Sequence, residues 1–242
     1  MRVFMKSSIA FRPPRTFRKR LETIIEGSSL FSELQNFEGQ FTAVFAMDER
    51  TIEVYSAAAC CFADEWSKQL PPNDMYALLQ HYFTPGGRTA DIGCGAGRDV
   101  AWLNDNGFPA VGYDAADGLL AQAAAEYPSL DFERAALPAL DTIASNTFDN
   151  VLCETVIMHL PPDEVTKACA RLLDILKPMG TLYLSWRVTE GDSIRDISGR
   201  LYSVFDAVRV RDVLSTADIL LDVEAVNLSS GKRVHRTIVQ RR

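Results

Sequence analysis

The stretch "RTADIGCGAGRDVAWL", Arg88–Leu103, sets three glycines within five residues, between an apolar run of strand length and a segment with apolar residues at helical spacing. Glycine weakens either element it interrupts, and it concentrates where the chain turns sharply or another group approaches the backbone. An ordinary strand-to-helix turn accounts for one or two such residues. A loop whose backbone meets a ligand accounts for the third.

On both sides of this loop the hydrophobic pattern alternates. Short apolar runs predict strands at Thr89–Ile92, Ala110–Tyr113, Leu130–Glu133, Phe148–Cys153 and Thr181–Trp186. Helical spacing predicts helices at Arg98–Asn104, Gly118–Glu126 and Pro162–Leu176, the last with an early proline and the early acids Asp163 and Glu164. Upstream, Thr51–Trp66 reads as one alanine-rich helix and Asn73–Phe83 as an amphipathic one. At the C-terminus, "LLDVEAVNLSSGKRVHRTIVQRR" reads as two strands joined by Ser-Ser-Gly-Lys, an antiparallel hairpin at the sheet edge. The expected fold is α/β: a doubly wound, mainly parallel seven-stranded sheet, covered on both faces, with an antiparallel C-terminal hairpin. It occupies residues 47–242, behind a basic extension, residues 1–46.

At 242 residues, 47% hydrophobic and 24% charged, the chain has an ordinary globular composition. It has no run of about 18 apolar residues and no secretory-signal pattern, so the expectation is a cytoplasmic protein with no membrane partner. Five cysteines without a C-x-x-C pair suggest reduced thiols and no metal site. The net charge of −7 is uneven, because Met1–Arg20 holds seven basic residues and no acid. That arm reads three ways: contact with nucleic acid or anionic lipid, a transit-type peptide, or an extension without function. The acidic remainder argues against a long DNA groove, since phosphate contacts supply most of such binding.

Two ligand families use a glycine loop at this place in a sheet. A dinucleotide fingerprint needs G-x-G-x-x-G, and the frame that starts at Gly93 has Arg98 where the third glycine belongs. "DIGCGAGRD" instead resembles the first motif of class I S-adenosylmethionine-dependent methyltransferases, an acid, an apolar residue and G-x-G-x-G, matched at Asp91, Gly93, Gly95 and Gly97. The resemblance implies S-adenosyl-L-methionine as cofactor. The backbone around Gly93, Cys94 and Gly95 would then pass its methionine and ribose portions, with Asp91 near the ammonium.

Further motifs agree in order. Asp114, followed by Ala115, ends "AVGYD" and would hold the ribose hydroxyls or else cap the next helix. "FERAALPAL" resembles the motif that passes the adenine, here by backbone at Ala136 and Leu137, without the acid that commonly precedes it. "FDNVLCETVIMHLPPDE" and "LLDILKPMGTLYLS" resemble the fourth-strand motif and the L-K-P-G-G signature, with Met179 at the first glycine. "YSAAACCFADEW" resembles the N-terminal helix of small-molecule methyltransferases, whose tyrosine, Tyr55, reaches the cofactor.

Methyl transfer is an in-line displacement that needs alignment and exclusion of water, plus a general base if the acceptor is a hydroxyl. His159 and Glu154 are the candidates. Alternatively, Glu154 lies at the methionine end and His159 holds a loop. His81 and His235 are set aside, as residues of a core-packing helix and of an edge strand. Trp186, Arg187 and Tyr202 either line the acceptor pocket, with Trp66 closing it, or are core or surface residues. No Asn-Pro-Pro-Tyr or Pro-Cys motif of base methyltransferases is present. The expected partner is a small-molecule acceptor, with no DNA, for a monomer or homodimer. The rivals are an RNA or protein methyltransferase that docks through the basic arm, and a non-catalytic adenosyl-cofactor-binding subunit.

Overall fold

Apolar runs that alternate with helical stretches have one economical solution: a sheet buried between two helical layers. The computed structural model describes residues 47–242 and takes that form. The basic extension, residues 1–46, and the expectations placed on it lie outside the described residues. Helices α1 (Glu49–Ala57), α2 (Ala59–Ser67) and α3 (Asn73–Tyr82) precede the sheet. There follow β1 (Thr89–Ile92), α4 (Arg98–Asp105), β2 (Ala110–Asp114), α5 (Asp117–Glu126), β3 (Asp131–Arg134), β4 (Phe148–Cys153), α6 (Val165–Asp174) and β5 (Leu176–Arg187). The chain ends with β6 (Ile194–Arg195), β7 (Leu201–Tyr202), α7 (Ala207–Leu214), β8 (Asp218–Val226) and β9 (Arg233–Gln240).

The seven-stranded sheet runs β3-β2-β1-β4-β5-β9-β8, with β6 and β7 forming a separate two-stranded sheet. β1 pairs in parallel with both β2 and β4, whereas β9 runs antiparallel to β5 and β8. One face buries Val151, Leu182 and Leu184 against Ala168 and Leu172 of α6 and Val210 and Leu214 of α7. The other buries Leu152, Tyr183 and Ile238 against Met75 and Leu79 of α3 and Val100 and Leu103 of α4.

Several expectations are corrected. Thr51–Trp66 is two helices that meet at Ala58, not one. No glycine or proline marks the break, which comes from packing on α5. There a Cβ on Gly118 would stand 2.2 Å from the Ser56 carbonyl oxygen, while Ala59 and Phe62 of α2 settle beside Leu119. Pro162–Glu164 form a turn before α6 rather than its first residues, and Leu176 already belongs to β5. β8, not β9, is the edge strand, so His235 is buried inside the sheet, stacked on Trp186 with ring centroids 4.4 Å apart. α3 packs on the core through Met75 and Leu79, as expected, and His81 is on its exposed side. The two-residue strands of the small sheet are too short to show a period, and α7, with Ala207, Val210, Val213 and Leu214 at helical spacing, was not among the expected helices.

The third glycine of the loop serves packing. Gly97 has φ +86°, and a Cβ there would lie 2.8 Å from the Phe132 ring and 3.1 Å from Ala123. Gly97→Ala therefore combines a left-handed backbone with overpacking and is expected to destabilise the fold by about 2–4 kcal/mol. Urea denaturation checks this, and a change below about 0.5 kcal/mol would contradict it.

Candidate active site

The chain leaves β1 toward β2 and returns to β4 on the other side of β1, so the strand order reverses there. In open α/β sheets such a switch leaves a crevice beyond the carboxyl ends of the strands. A cleft with a cavity volume of about 120 Å³ opens at this point. Gly93, Gly95, Asp114, Leu137 and Glu154 line it from the loops after β1 to β4, and Tyr55 and Trp66 cover it from α1 and α2.

The end of β2 shapes the glycine loop. The Tyr113 carbonyl accepts from the Gly93 and Cys94 N–H groups at 2.7 and 3.0 Å. Asp114 Oδ2 accepts from Gly95 N–H at 2.9 Å, and Oδ1 from Ala116 N–H at 2.8 Å, just before α5. Asp114 thus ties both turns while facing the cleft, and each carboxylate oxygen keeps a further lone pair.

Below the loop, Asp91 is 3% exposed and its Oδ2 has no hydrogen-bond partner among the described residues. Burial, then the nearby charges of Asp99 and Asp114, push its carboxyl well above the usual range. Burial also raises Asp114 and Glu154. Two raised carboxyls on the cleft and a third buried beneath the glycine loop form a site that a cation would relieve. Glu154 is held by Asn227, whose Nδ2 donates to Oε1 at 2.9 Å, and by the Ser185 hydroxyl, which donates to Oε2.

The far wall is polar and aromatic. His159, in the short turn Ile157–His159, is 5% exposed, with Nδ1 2.5 Å from the Leu201 carbonyl and Nε2 3.0 Å from the Tyr55 hydroxyl. Arg200 Nη1 donates to Tyr55 Oη at 3.2 Å, and its guanidinium stands 5.2 Å from the Tyr55 ring centroid. α1 is tied to the β6–β7 segment by Leu201 N–H on Thr51 Oγ1 at 2.8 Å and by Arg195 on Asp48 at 2.9 Å.

Of the residues singled out from sequence, Tyr55, Gly93, Gly95, Asp114, Ala115, Leu137, Glu154 and His159 line the cleft. Asp91, Cys94, Gly97 and Ala136 are not among the lining residues. Cys94 turns under the loop, its sulfur 2.9 Å from where a Cβ on Gly112 would be. The flanking Ala135 and Leu137 line the wall where Ala136 was expected. Trp186 stacks on His235 and Tyr202 stands behind His159 with ring centroids 4.9 Å apart, and neither of them nor Arg187 is among the lining residues. Trp66 does line the cleft. Thr51, Thr155 and Arg200 went unnoticed, because single polar residues in helices and irregular segments carry no periodic signal. Among the described residues no group of three or more His, Cys, Asp or Glu side chains could hold a metal ion. No helix among them is long and apolar enough to cross a membrane.

This sheet order, with a glycine loop after β1 and an acid ending β2, is the architecture of class I methyltransferases. Residues 90–180 match the family model described as a methyltransferase domain. It is 30% identical over 119 residues to the ubiquinone biosynthesis O-methyltransferase of Methylococcus capsulatus, covering 47% of this chain and 49% of that one. With the protein of the same name from Burkholderia thailandensis the identity is 33% over 121 residues, 48% and 51% of the two chains. The chain thus spans about half the length of the curated relatives it matches. Among solved structures, the B. thailandensis 1,6-didemethyltoxoflavin-N1-methyltransferase with bound 1,6-didemethyltoxoflavin and S-adenosylhomocysteine shares the fold, with a TM-score of 0.65, 18% identity, and 80% and 88% of the chains covered. The [4+2]-cyclase SpnF also shares it, at 0.55 and 16% over 69% and 80% of the chains.

Burial holds the His159 imidazole at a pKa of about 4, below the ordinary 6.5. A histidine whose folded pKa lies below its unfolded one contributes stability that is complete above the unfolded value and is lost as the pH falls from there toward the folded one. Between pH 7.5 and 5 the loss from this residue should be about 2 kcal/mol. Urea denaturation of the wild type and His159→Asn at both values checks this. An equal fall in the two proteins would contradict it.

Proposed function

We propose that this protein is an S-adenosylmethionine-dependent methyltransferase acting on a small-molecule acceptor, with residues 47–242 as its catalytic domain. The observation that carries this reading is the set of buried carboxyls around the glycine loop, above all the unpartnered Oδ2 of Asp91. S-adenosylmethionine is cationic at both its ammonium and its sulfonium, and when bound it supplies an activated methyl group. Asp91 suits the ammonium, Asp114 the ribose hydroxyls, and the wall at Ala135–Leu137 the adenine. Glu154 belongs to the methionine end rather than to proton transfer, because Ser185 and Asn227 already engage its two oxygens.

The protein's own contribution is alignment and exclusion of water. Tyr55 and Trp66 cover the cleft, and the ties from Thr51 and Asp48 to the β6–β7 segment hold that cover in place. The similarity to enzymes named as ubiquinone O-methyltransferases and a toxoflavin-precursor N-methyltransferase supports a small acceptor.

Calorimetric titration of S-adenosylmethionine and S-adenosylhomocysteine into the protein tests the reading. Micromolar binding is expected, weakened about 10- to 100-fold by Asp114→Ala, the loss of a charge-assisted hydrogen bond. Absence of binding to both, with a nicotinamide dinucleotide bound instead, would overturn it.

A further inference from the structure

If the cleft is an S-adenosylmethionine site, an inference that rests on the reading above, an oxygen or nitrogen acceptor must lose a proton as it is methylated. The hydrogen bonds around His159 decide where that proton goes. The Leu201 carbonyl can only accept, so the proton of the neutral imidazole sits on Nδ1, 2.5 Å away. Nε2 then offers a lone pair, and the Tyr55 hydroxyl donates to it across 3.0 Å. Arg200 donates to the same hydroxyl at 3.2 Å, and Asp196 fixes Arg200 with contacts of 2.8 and 2.7 Å. Both His159 nitrogens are therefore engaged. Tyr55 Oη gives one hydrogen, receives one, and keeps one lone pair without a partner among the described residues.

We propose that Tyr55 is the group that meets the acceptor, that His159 acts through it as the terminal proton acceptor, and that Arg200 is a positioning residue for this pair. The acceptor X–H bond breaks as the X lone pair forms the bond to the methyl carbon. The carbon–sulfur bond breaks with its electron pair left on sulfur. The acceptor proton passes to Tyr55 Oη while the Tyr55 proton passes to His159 Nε2, leaving imidazolium. One positive charge disappears at sulfur and one appears on His159, so the net charge of the closed site is unchanged. The surroundings of His159 act in both senses: burial against the Tyr55 and Tyr202 rings and the charge of Arg200 oppose the imidazolium, whereas the Leu201 carbonyl, Asp196 and Asp48 favour it, so it is the charge lost at sulfur that the exchange offsets. The direct contact of Arg200 with Tyr55 Oη opposes a second proton there and sends it onward.

The test uses the full chain, tritiated S-adenosylmethionine and a panel of ring hydroxyls and ring N–H compounds, with 4-nitrocatechol as a chromophoric member. S-adenosylhomocysteine affinity is measured calorimetrically for every variant. Tyr55→Phe and His159→Asn should each lower kcat about 100-fold or more while changing KM less than threefold. The double variant should be no worse than either single one, as for residues acting as a unit. In mixtures of light and heavy water the wild-type rate should follow the curve of two protons in flight, and Tyr55→Phe should lose that curvature. Binding of 4-nitrocatechol to the S-adenosylhomocysteine complex should perturb its absorbance in the wild type and in Arg209→Gln, an exposed control, but not in Tyr55→Phe.

Intact S-adenosylhomocysteine binding in both variants excludes a folding failure. The proposal is overturned if Tyr55→Phe turns over at the wild-type rate, if the two losses multiply, or if the complex with S-adenosylhomocysteine forms while no panel member is methylated. Failure of S-adenosylhomocysteine to bind the wild type would instead overturn the reading of the cofactor site.

Discussion

The carboxylate of Asp114 on the Gly95 N–H is the contact that everything near the cleft depends on. With the Tyr113 carbonyl it pins the glycine loop to the end of β2, and through Ala116 N–H it also starts α5. Two turns from different strands are thereby held at one spacing, which sets the width of the crevice between them. The glycines permit this geometry rather than create it. At φ +79° and +56°, Gly93 and Gly95 let successive amides point toward β2, and their missing side chains make room for Val156 and Trp66.

That last point changes the meaning of the bare backbone. In the sequence, three close glycines suggest a surface left open for a ligand. In the structure each one also faces protein: Gly93 faces Val156, Gly95 faces Trp66, and Gly97 faces Phe132. The loop is compact because strand, helix and cover all press on it, and the cleft is what remains beside it. The opposite wall has a different logic. Tyr55, His159 and Arg200 come from distant parts of the chain and are joined by hydrogen bonds, so this wall is assembled only when α1 and the β6–β7 segment meet.

Much of the fold was legible because period-2 and period-3.6 patterns report burial directly. Strand β1 and the whole of β4 were read at their true bounds, and Asp114, Glu154 and His159 were placed by their position after strands. What escaped depended on tertiary packing. The break at Ala58 follows from the close approach of Gly118 to Ser56, which no local pattern encodes. His235 was read at an edge because a C-terminal hairpin suggests one, yet β9 slots between β5 and β8. Arg200 has no sequence signal at all, since its importance comes from the rings and the hydroxyl it meets. The same architecture also occurs in a protein described as a [4+2]-cyclase, so the side chains on the cleft must decide the chemistry, not the sheet.

A crystal structure of the protein grown with S-adenosylhomocysteine tests the central claim most directly. The account predicts the ligand in the cleft, its ribose hydroxyls on Asp114, its ammonium beside Asp91 Oδ2 and its sulfur facing Tyr55. Ligand bound elsewhere, or a ribose that avoids Asp114 while the loop keeps its present shape, would contradict it.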